Sequence, residues 1–567
     1  MLKKCTIIIF LVLFVSQVFS QTVISVDADR VVKTFDHNPV GINVNYLMDD
    51  DAYLQPNIPL SQSLSNINPG ILRFPGGEKS DNYLWSVPPY DSANPHFATP
   101  GDCNFPNQDE RFSDDFITPL RTTLDFDEFM NVSNAVGAQP MIVVSADAQY
   151  NRQCPTPTKL GDLITNAVEW VRYANITNQH NIRYWMIGNE SWFASAYDSP
   201  ATATQYANDL IQFATAMTAV DPTITIVANG DAGPWTDTLM QIAGESIDVI
   251  ALSNYPAFNW VNGYDTYRDG SYIFTNEITS VISSIGTANT RIIISEYGPL
   301  DFTGAWENNN DLGHALVSFQ MFGDQIKQER VDGANLWNTR WIDNPTNPQS
   351  SFDALDADGN LNATGKALAM WGNNMLDKIV FSDNQGFVNS FATTDQSGSQ
   401  LNIFLINRDY ASQEVVVDLK NYLDVSSPIL TITQSKLTGT SPTDEFPVIS
   451  QPTNGLTLTN TDITLTLDPV SIHVIKISNG TITAIHNRSE LEKVEVYPNP
   501  AHDYVNISHL PGELNSAKLL TVHGNIVKKY HILDDNGKLS LEGYPSGLYF
   551  LQINTKGQVI TKRITKR

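Results

Sequence analysis

Two glutamates far apart in the chain stand in matching settings. Glu190 ends the run Arg183-Tyr-Trp-Met-Ile-Gly-Asn-Glu190, and Glu296 ends Arg291-Ile-Ile-Ile-Ser-Glu296. Each follows an apolar, β-branched or aromatic stretch of the kind that forms a strand buried on both faces. A carboxylate at the C-terminal tip of such a strand lies where a β/α barrel collects its reactive groups. Two carboxyls facing each other, one protonated and one ionised, are what cleavage of a glycosidic bond requires. The acid donates to the leaving oxygen and the carboxylate attacks the anomeric carbon, so their surroundings must push the two pKa values apart.

The two can meet only if the chain between them folds back on itself. From His37 to about Trp371 it reads as alternating strand and helix, with apolar strand candidates at Val40–Val44, Ile71–Phe74, Pro140–Ser145, Ile182–Ile187, Ile224–Ala228, Ile247–Leu252, Ile292–Ser295 and Gly333–Trp337. Between them, Tyr206, Leu210, Phe213 and Met217 recur on one helical face, and Phe126, Phe129, Met130 and Ser133 precede Gly137, a helix stop. Eight such units predict a (β/α)8 TIM barrel over 37–371. An open doubly wound sheet is the alternative, but no Gly-rich nucleotide turn supports it. The long segment Glu78–Leu120, with Trp85, Tyr90, Phe97 and Cys103, is expected to shape the cleft.

After Trp371 the period shortens. Phe387–Phe391, Leu401–Ile406, Glu414–Leu419, Ile429–Thr433 and Ser471–Ile477 read as strands of a β-sandwich over 372–478, to which the N-terminal segment 21–36 could add a strand through Thr22–Val26. A polar linker is expected at 479–493, and a small β unit at 494–567. At the other end, Lys3 and Lys4, the apolar Ile7–Val15 and Val18-Phe-Ser20 form an export signal over 1–20. No other run is long enough to span a membrane, so none is expected in the mature chain. Cys103 and Cys154 are then an even pair that either form a disulfide between two loops or remain separate thiols. In 567 residues, 10% are aromatic and 17% charged, which fits a packed multidomain protein, and a net charge of −27 argues against nucleic acid or an anionic membrane as partner.

Family resemblances sharpen this reading. Val496-Tyr-Pro-Asn-Pro-Ala501-His and Gly543-Tyr-Pro-Ser-Gly-Leu-Tyr-Phe550, followed by the basic end Lys562-Arg-Ile-Thr-Lys-Arg567, resemble the type A C-terminal sorting domain of the type IX secretion system. That resemblance implies contact with the secretion machinery, export across the outer membrane, and surface attachment or release. Asn189-Glu190 after the fourth strand and Glu296 after the seventh are similar to the retaining glycoside hydrolases of clan A. The resemblance implies that Glu190 is the acid/base, Glu296 the nucleophile, and Asn189 a ligand of the sugar 2-hydroxyl. Ile71-Leu-Arg-Phe-Pro-Gly-Gly77, with the passages Asp127–Pro140 and Ala216–Pro222, resembles glycoside hydrolase family 51, the α-L-arabinofuranosidases. Against that family's pattern, Asn45 replaces a glutamate on the first strand and Glu78 replaces Asn or Cys after the Pro-Gly-Gly turn. Tyr297 stands where a tryptophan usually follows the nucleophile, and Ser253-Asn-Tyr255 where the sixth strand carries another signature. The reaction transfers with the glutamates; the arabinofuranose pocket does not transfer cleanly.

Other residues keep two readings each. Tyr255 either holds the nucleophile by a hydrogen bond or is a rim aromatic, and Trp337 is a sugar-stacking platform or a core residue. Arg73 supports the site by pairing a catalytic carboxylate or fixing backbone, while Trp192 lines a subsite or simply packs. Asn45 and Glu78 complete the expected substrate-binding set. Asp353, Asp356, Asp358 and Gly359 lack the ligand alternation of a calcium loop and read as a turn. With no His-Glu-x-x-His motif and no Gly-x-Ser-x-Gly elbow, neither a metal nor an organic cofactor is expected. The expectation is a secreted or surface-attached retaining hydrolase of plant or algal polysaccharides or their oligosaccharides, α-L-arabinofuranosidase-like. An endo-acting β-glycanase is the rival reading, and a non-catalytic glycan-binding surface protein is the alternative of another class.

Overall fold

The structure is a computed structural model that describes residues 21–98, 122–150, 158–193, 199–257, 259–270, 272–341, 350–422, 430–453, 455–459, 461–478, 495–508, 514–521, 526–530, 538–555 and 558–567. The expected export signal and linker, Cys103 and Cys154 lie outside these residues.

Eight parallel strands close into a barrel: Val40–Asn43, Ile71–Phe74, Gln139–Val144, Tyr184–Ile187, Thr225–Gly230, Val249–Asn254, Arg291–Tyr297 and Val331–Leu336. Closure runs through Ala334 beside Val40 on one flank and Ile292 beside Ile250 on another. The continuous apolar runs have a physical reason in two separate cores. Ile71, Met141, Val143, Tyr184, Met186, Val227, Val249, Ala251 and Ile293 form one cluster, whereas the alternate residues, among them Leu72, Ile142, Trp185, Ile226, Ile250 and Ile292, join the cluster shared with the helices. Successive side chains on a strand point to opposite faces, so the first set fills the barrel and the second faces the helices.

The helices follow their apolar faces. Ala203–Thr218 buries Tyr206, Leu210, Phe213 and Met217. Phe126–Val136 starts at a capping box in which Asp125 accepts from the Glu128 amide and Glu128 accepts from that of Asp125, and it stops at Gly137 with φ 77°. Such a cap stabilises a helix by about 1 kcal/mol. Asp356 accepts from the amides of Asp358 and Asn360 and closes a turn at Gly359 before helix Ala363–Gly372.

Beyond the barrel the chain builds a single ten-stranded sheet. Thr22–Thr34 sits inside it, antiparallel to Lys378–Ser382 and parallel to Gln413–Lys420, with register breaks between Asp27 and Lys33. Such irregularities bend a strand, and the curled sheet packs one of its faces on the barrel through Phe404 on Trp371 and Phe319. Lys378–Ser382, Val448–Ser450, Leu456–Thr459 and Asp462–Leu467 are strands that the sequence reading passed over. The barrel and this sheet form one compact unit. The C-terminal strands form a second, with a three-stranded and a four-stranded sheet around Val505, Leu519, Leu539, Leu551, Ile553 and Ile564.

Candidate active site

The alternation that fills the barrel also builds the site. Two residues beyond Ile71 the inward position is Arg73, beyond Val227 it is Asn229, and beyond Ile293 it is Ser295, so the apolar interior ends in a polar layer. Arg73 is fully buried there. Its Nη1 donates to Asn43 Oδ1 at 2.8 Å and to Glu296 Oε1 at 2.9 Å, and its Nη2 to Asn189 Oδ1 at 2.6 Å. Asn43 is itself fixed by donating to the carbonyls of Ser295 and Leu336. One guanidinium thus ties together residues at the tips of the first, second, fourth and seventh strands. Its planar fork suits this, since a lysine would offer a single point charge.

Glu296 is 6% exposed, and its second oxygen, Oε2, accepts from Tyr255 Oη at 3.0 Å. A Cβ on Gly77 would lie 2.5 Å from Glu296 Oε1 and 2.9 Å from the Trp337 ring. Only a glycine after Pro75-Gly76 leaves room for both the nucleophile candidate and the tryptophan against this turn. Trp337 is half-buried, and its ring lies 6.3 Å from that of Trp341. Phe302 stands edge-on to Tyr255, 5.5 Å between centroids, and is 46% exposed. The loop that presents it is held by Asp301, whose carboxylate accepts from the amides of Thr303, Trp306 and Trp260.

Glu190 occupies an uncommon backbone conformation. Its φ is 46°, and Gly188 two residues earlier has φ 68°. A non-glycine residue in the left-handed region costs of order 1–3 kcal/mol and persists where its surroundings over-determine it. Here Asn189 N–H donates to Asp147 Oδ2 at 2.9 Å, Ser191 N–H to Asn229 Oδ1 at 3.2 Å, and Phe193 N–H to the Glu190 carbonyl at 2.7 Å. Burial raises the Glu190 carboxyl to about 8, with further upward pressure from the charges of Glu296 and Glu78; a hydrogen bond from Ser253 and the charge of Arg73 pull the other way. Burial likewise pushes Asp147 up to about 6. A carboxyl that keeps its proton near neutral pH, beside a carboxylate gripped by a guanidinium and a phenol, can act as an acid and a nucleophile.

The cleft over Glu190 is lined by Glu78, Asp81, Asp147, Asn189, Ser191, Phe193 and Ser199. Glu78 opens the short helical turn Glu78–Asn82 and reaches this cleft. Three expected residues sit elsewhere. Asn45 is buried with Oδ1 on the Leu47 amide, so it ties its own loop. Trp192 packs edge-on to Trp235, 5.7 Å away, and is not among the residues lining this cleft. Trp85, from the long segment, is fully buried and stacks on Trp170. Asn43, Asp147, Asn229 and Phe193 were not singled out from the sequence. Counting two past the last inward apolar residue would have found Asn229.

Residues 63–270 match the alpha-L-arabinofuranosidase 1 domain. Residues 495–567 match the secretion system C-terminal sorting domain. The arabinofuranosidase and sorting-domain resemblances drawn from the sequence are therefore met, one in the barrel and one at the C-terminal end. Alpha-L-arabinofuranosidase C of Emericella nidulans is 23% identical over 209 residues, 34% of this chain and 35% of that protein, so the match spans about a third of the relative's length. A family 51 alpha-L-arabinofuranosidase of Thermotoga petrophila superposes with a TM-score of 0.61 at 19% identity, covering 80% of this chain and 99% of that one. A family 44 xyloglucanase of Paenibacillus polymyxa gives 0.56 at 14% identity over 81% and 100%. The barrel and its appended sheet thus share their fold with these two enzymes.

Proposed function

We propose that this chain is an exported retaining glycoside hydrolase in which Glu190 is the acid/base and Glu296 the nucleophile. The observation that carries the reading is the contrast between the two carboxyls. Arg73 and Tyr255 hold both oxygens of Glu296, while burial keeps the proton on Glu190 to about pH 8. Glu190 protonates the glycosidic oxygen as Glu296 attacks the anomeric carbon, giving a glycosyl-enzyme. Glu190, now ionised, takes a proton from water as that water attacks the anomeric carbon and frees Glu296. Asn189, whose Oδ1 is held by Arg73, has its amide nitrogen for a sugar hydroxyl. Trp337, beside Glu296 at the Gly77 turn, and Glu78, in the cleft over Glu190, contact the sugar, while Asn45 and Trp192 act through packing. The C-terminal unit delivers the chain to the type IX machinery, and the product acts outside the cell.

The substrate is an α-L-arabinofuranoside in a plant or algal polysaccharide or oligosaccharide, a reading supported by the likeness to an enzyme named alpha-L-arabinofuranosidase C. A second reading, an endo-acting β-glycanase, is favoured by one specific feature: Asn45 replaces the family's acidic first-strand residue and commits its Oδ1 to the Leu47 amide. Product analysis on arabinan, arabinoxylan, xylan, β-glucan and agar-type galactan separates them. Free arabinose alone supports the first, and oligosaccharide ladders from another polymer support the second. No product from any polymer, with the chain folded, removes the hydrolase reading and favours a glycan-binding surface protein.

A further inference from the structure

We infer that Asp147 is a positioning residue for Glu190, clamping the turn at the tip of the fourth strand from the neighbouring third. The inference rests on the assignment of Glu190 as the acid. Asp147 opens the short helical turn Asp147–Tyr150 that follows the third strand, and it is 2% exposed. Its Oδ2 accepts the Asn189 amide hydrogen, the peptide N–H immediately before Glu190. Gly188 leaves the space that this carboxylate fills, since a Cβ there would collide with Asp147 Oδ2.

The other side of the turn is held from the fifth strand, and the two clamps meet at Ser191, whose side chain bonds both Asp147 and Asn229. Asn229 accepts from the Ser191 amide through Oδ1, and its Nδ2 donates to the Ile187 carbonyl at 2.9 Å and the Ser191 hydroxyl at 3.0 Å. Tyr206 fixes Asn229 in turn: its hydroxyl accepts from the Asn229 amide and donates to the Ile187 carbonyl. Glu190 therefore sits between an amide held from the third strand and an amide held from the fifth, with its own φ in the left-handed region. Backbone in that region relaxes when its restraints are removed. Without Asp147 the Asn189 amide is released, the turn relaxes, and the Glu190 carboxyl leaves the line of the departing oxygen. Glu296 keeps its own holders, Arg73 and Tyr255.

The consequence is selective. Loss of a well-placed acid slows glycosides whose leaving group needs a proton and spares those whose leaving group departs as a stable anion. The test compares kcat/KM for 4-nitrophenyl and for unsubstituted phenyl glycosides, in the α-L-arabinofuranoside, β-xyloside, β-glucoside and β-galactoside series, in full-length wild type, Asp147→Ala and Asp147→Asn. In the series that wild type cleaves, Asp147→Ala is expected to lose about 100-fold on the phenyl glycoside and under about 5-fold on the 4-nitrophenyl one. Asp147→Asn, which keeps a carbonyl oxygen for the Asn189 amide, recovers part of that ratio. The ratio is taken within one preparation, so partial misfolding cannot produce it. Equal losses on both glycosides, or no loss on either, would overturn the clamp alone. A wild type that cleaves none of the four series, nor the matching aryl oligosaccharides that an endo-acting enzyme requires, removes the hydrolase reading and the clamp with it.

Discussion

Arg73 Nη1 lies 2.9 Å from Glu296 Oε1, with the arginine fully buried and the glutamate nearly so. Taking both charges out of water is costly, and the arrangement holds because Arg73 also spends its hydrogens on Asn43 and Asn189. Removing the arginine leaves a buried carboxylate without its cation. Arg73→Ala is expected to lose about 3–5 kcal/mol of stability and, at temperatures where it stays folded, about 100-fold or more in kcat. Thermal unfolding and initial rates check both. Arg73→Lys restores the charge but not the fork, and should recover stability better than rate.

The alkaline side of the activity profile belongs to Glu190. Its carboxyl is raised to about 8, so the acid form persists through neutral pH and kcat/KM should fall as pH rises through about 8. The Glu78 carboxylate contributes to that upward shift. Glu78→Gln removes a negative charge, so the alkaline limb should move to lower pH. A pH series of kcat/KM for the two proteins gives the answer, and a limb that stays put contradicts the electrostatic role of Glu78.

Tyr255 donates to the oxygen of Glu296 that Arg73 does not hold. A hydrogen bond to a charged acceptor contributes about 1.5–3 kcal/mol, so Tyr255→Phe should lower kcat about 10- to 150-fold while the fold survives. Circular dichroism with steady-state kinetics separates loss of the bond from loss of the barrel.

Holding Glu190 in its folded setting destabilises the protein wherever the unfolded chain would ionise it. A carboxyl whose folded pKa is raised gives its full contribution below the unfolded value near 4.5, and that contribution is lost as pH climbs to about 8. Glu190→Gln carries no proton to lose. It should therefore match wild type near pH 4 and become the more stable protein by on the order of 1–3 kcal/mol near pH 8. Denaturant unfolding at the two pH values measures this; a variant equally destabilised at both would contradict it.

The barrel was legible because strands buried on both faces are written as unbroken apolar runs, and the two glutamates because each ends such a run. Arg73 was visible through its motif, though which of its two roles applied was not: it pairs the carboxylate. Asp147 and Asn43 were not legible, since a polar residue at or beyond an apolar run looks like any strand end until closure of the sheet sets it beside another strand. Trp85 misled in the opposite way. An aromatic in a long polar segment reads as a cleft wall, yet burying its large apolar surface against Trp170 and Phe126 wins. The strands Leu456–Thr459 and Asp462–Leu467 were missed although Asp-Ile-Thr-Leu-Thr-Leu alternates cleanly and could have been found by its period of two.

On the proposed mechanism Glu296 becomes covalently glycosylated. A slow-turnover 2-deoxy-2-fluoro aryl glycoside of the sugar that wild type releases would trap this state, and peptide mass mapping would locate it. One added glycosyl group is expected on the peptide carrying Glu296, and none on Glu296→Ala. A label on any other carboxylate, or turnover that leaves no trapped species while Glu296→Ala remains fully active, would contradict it.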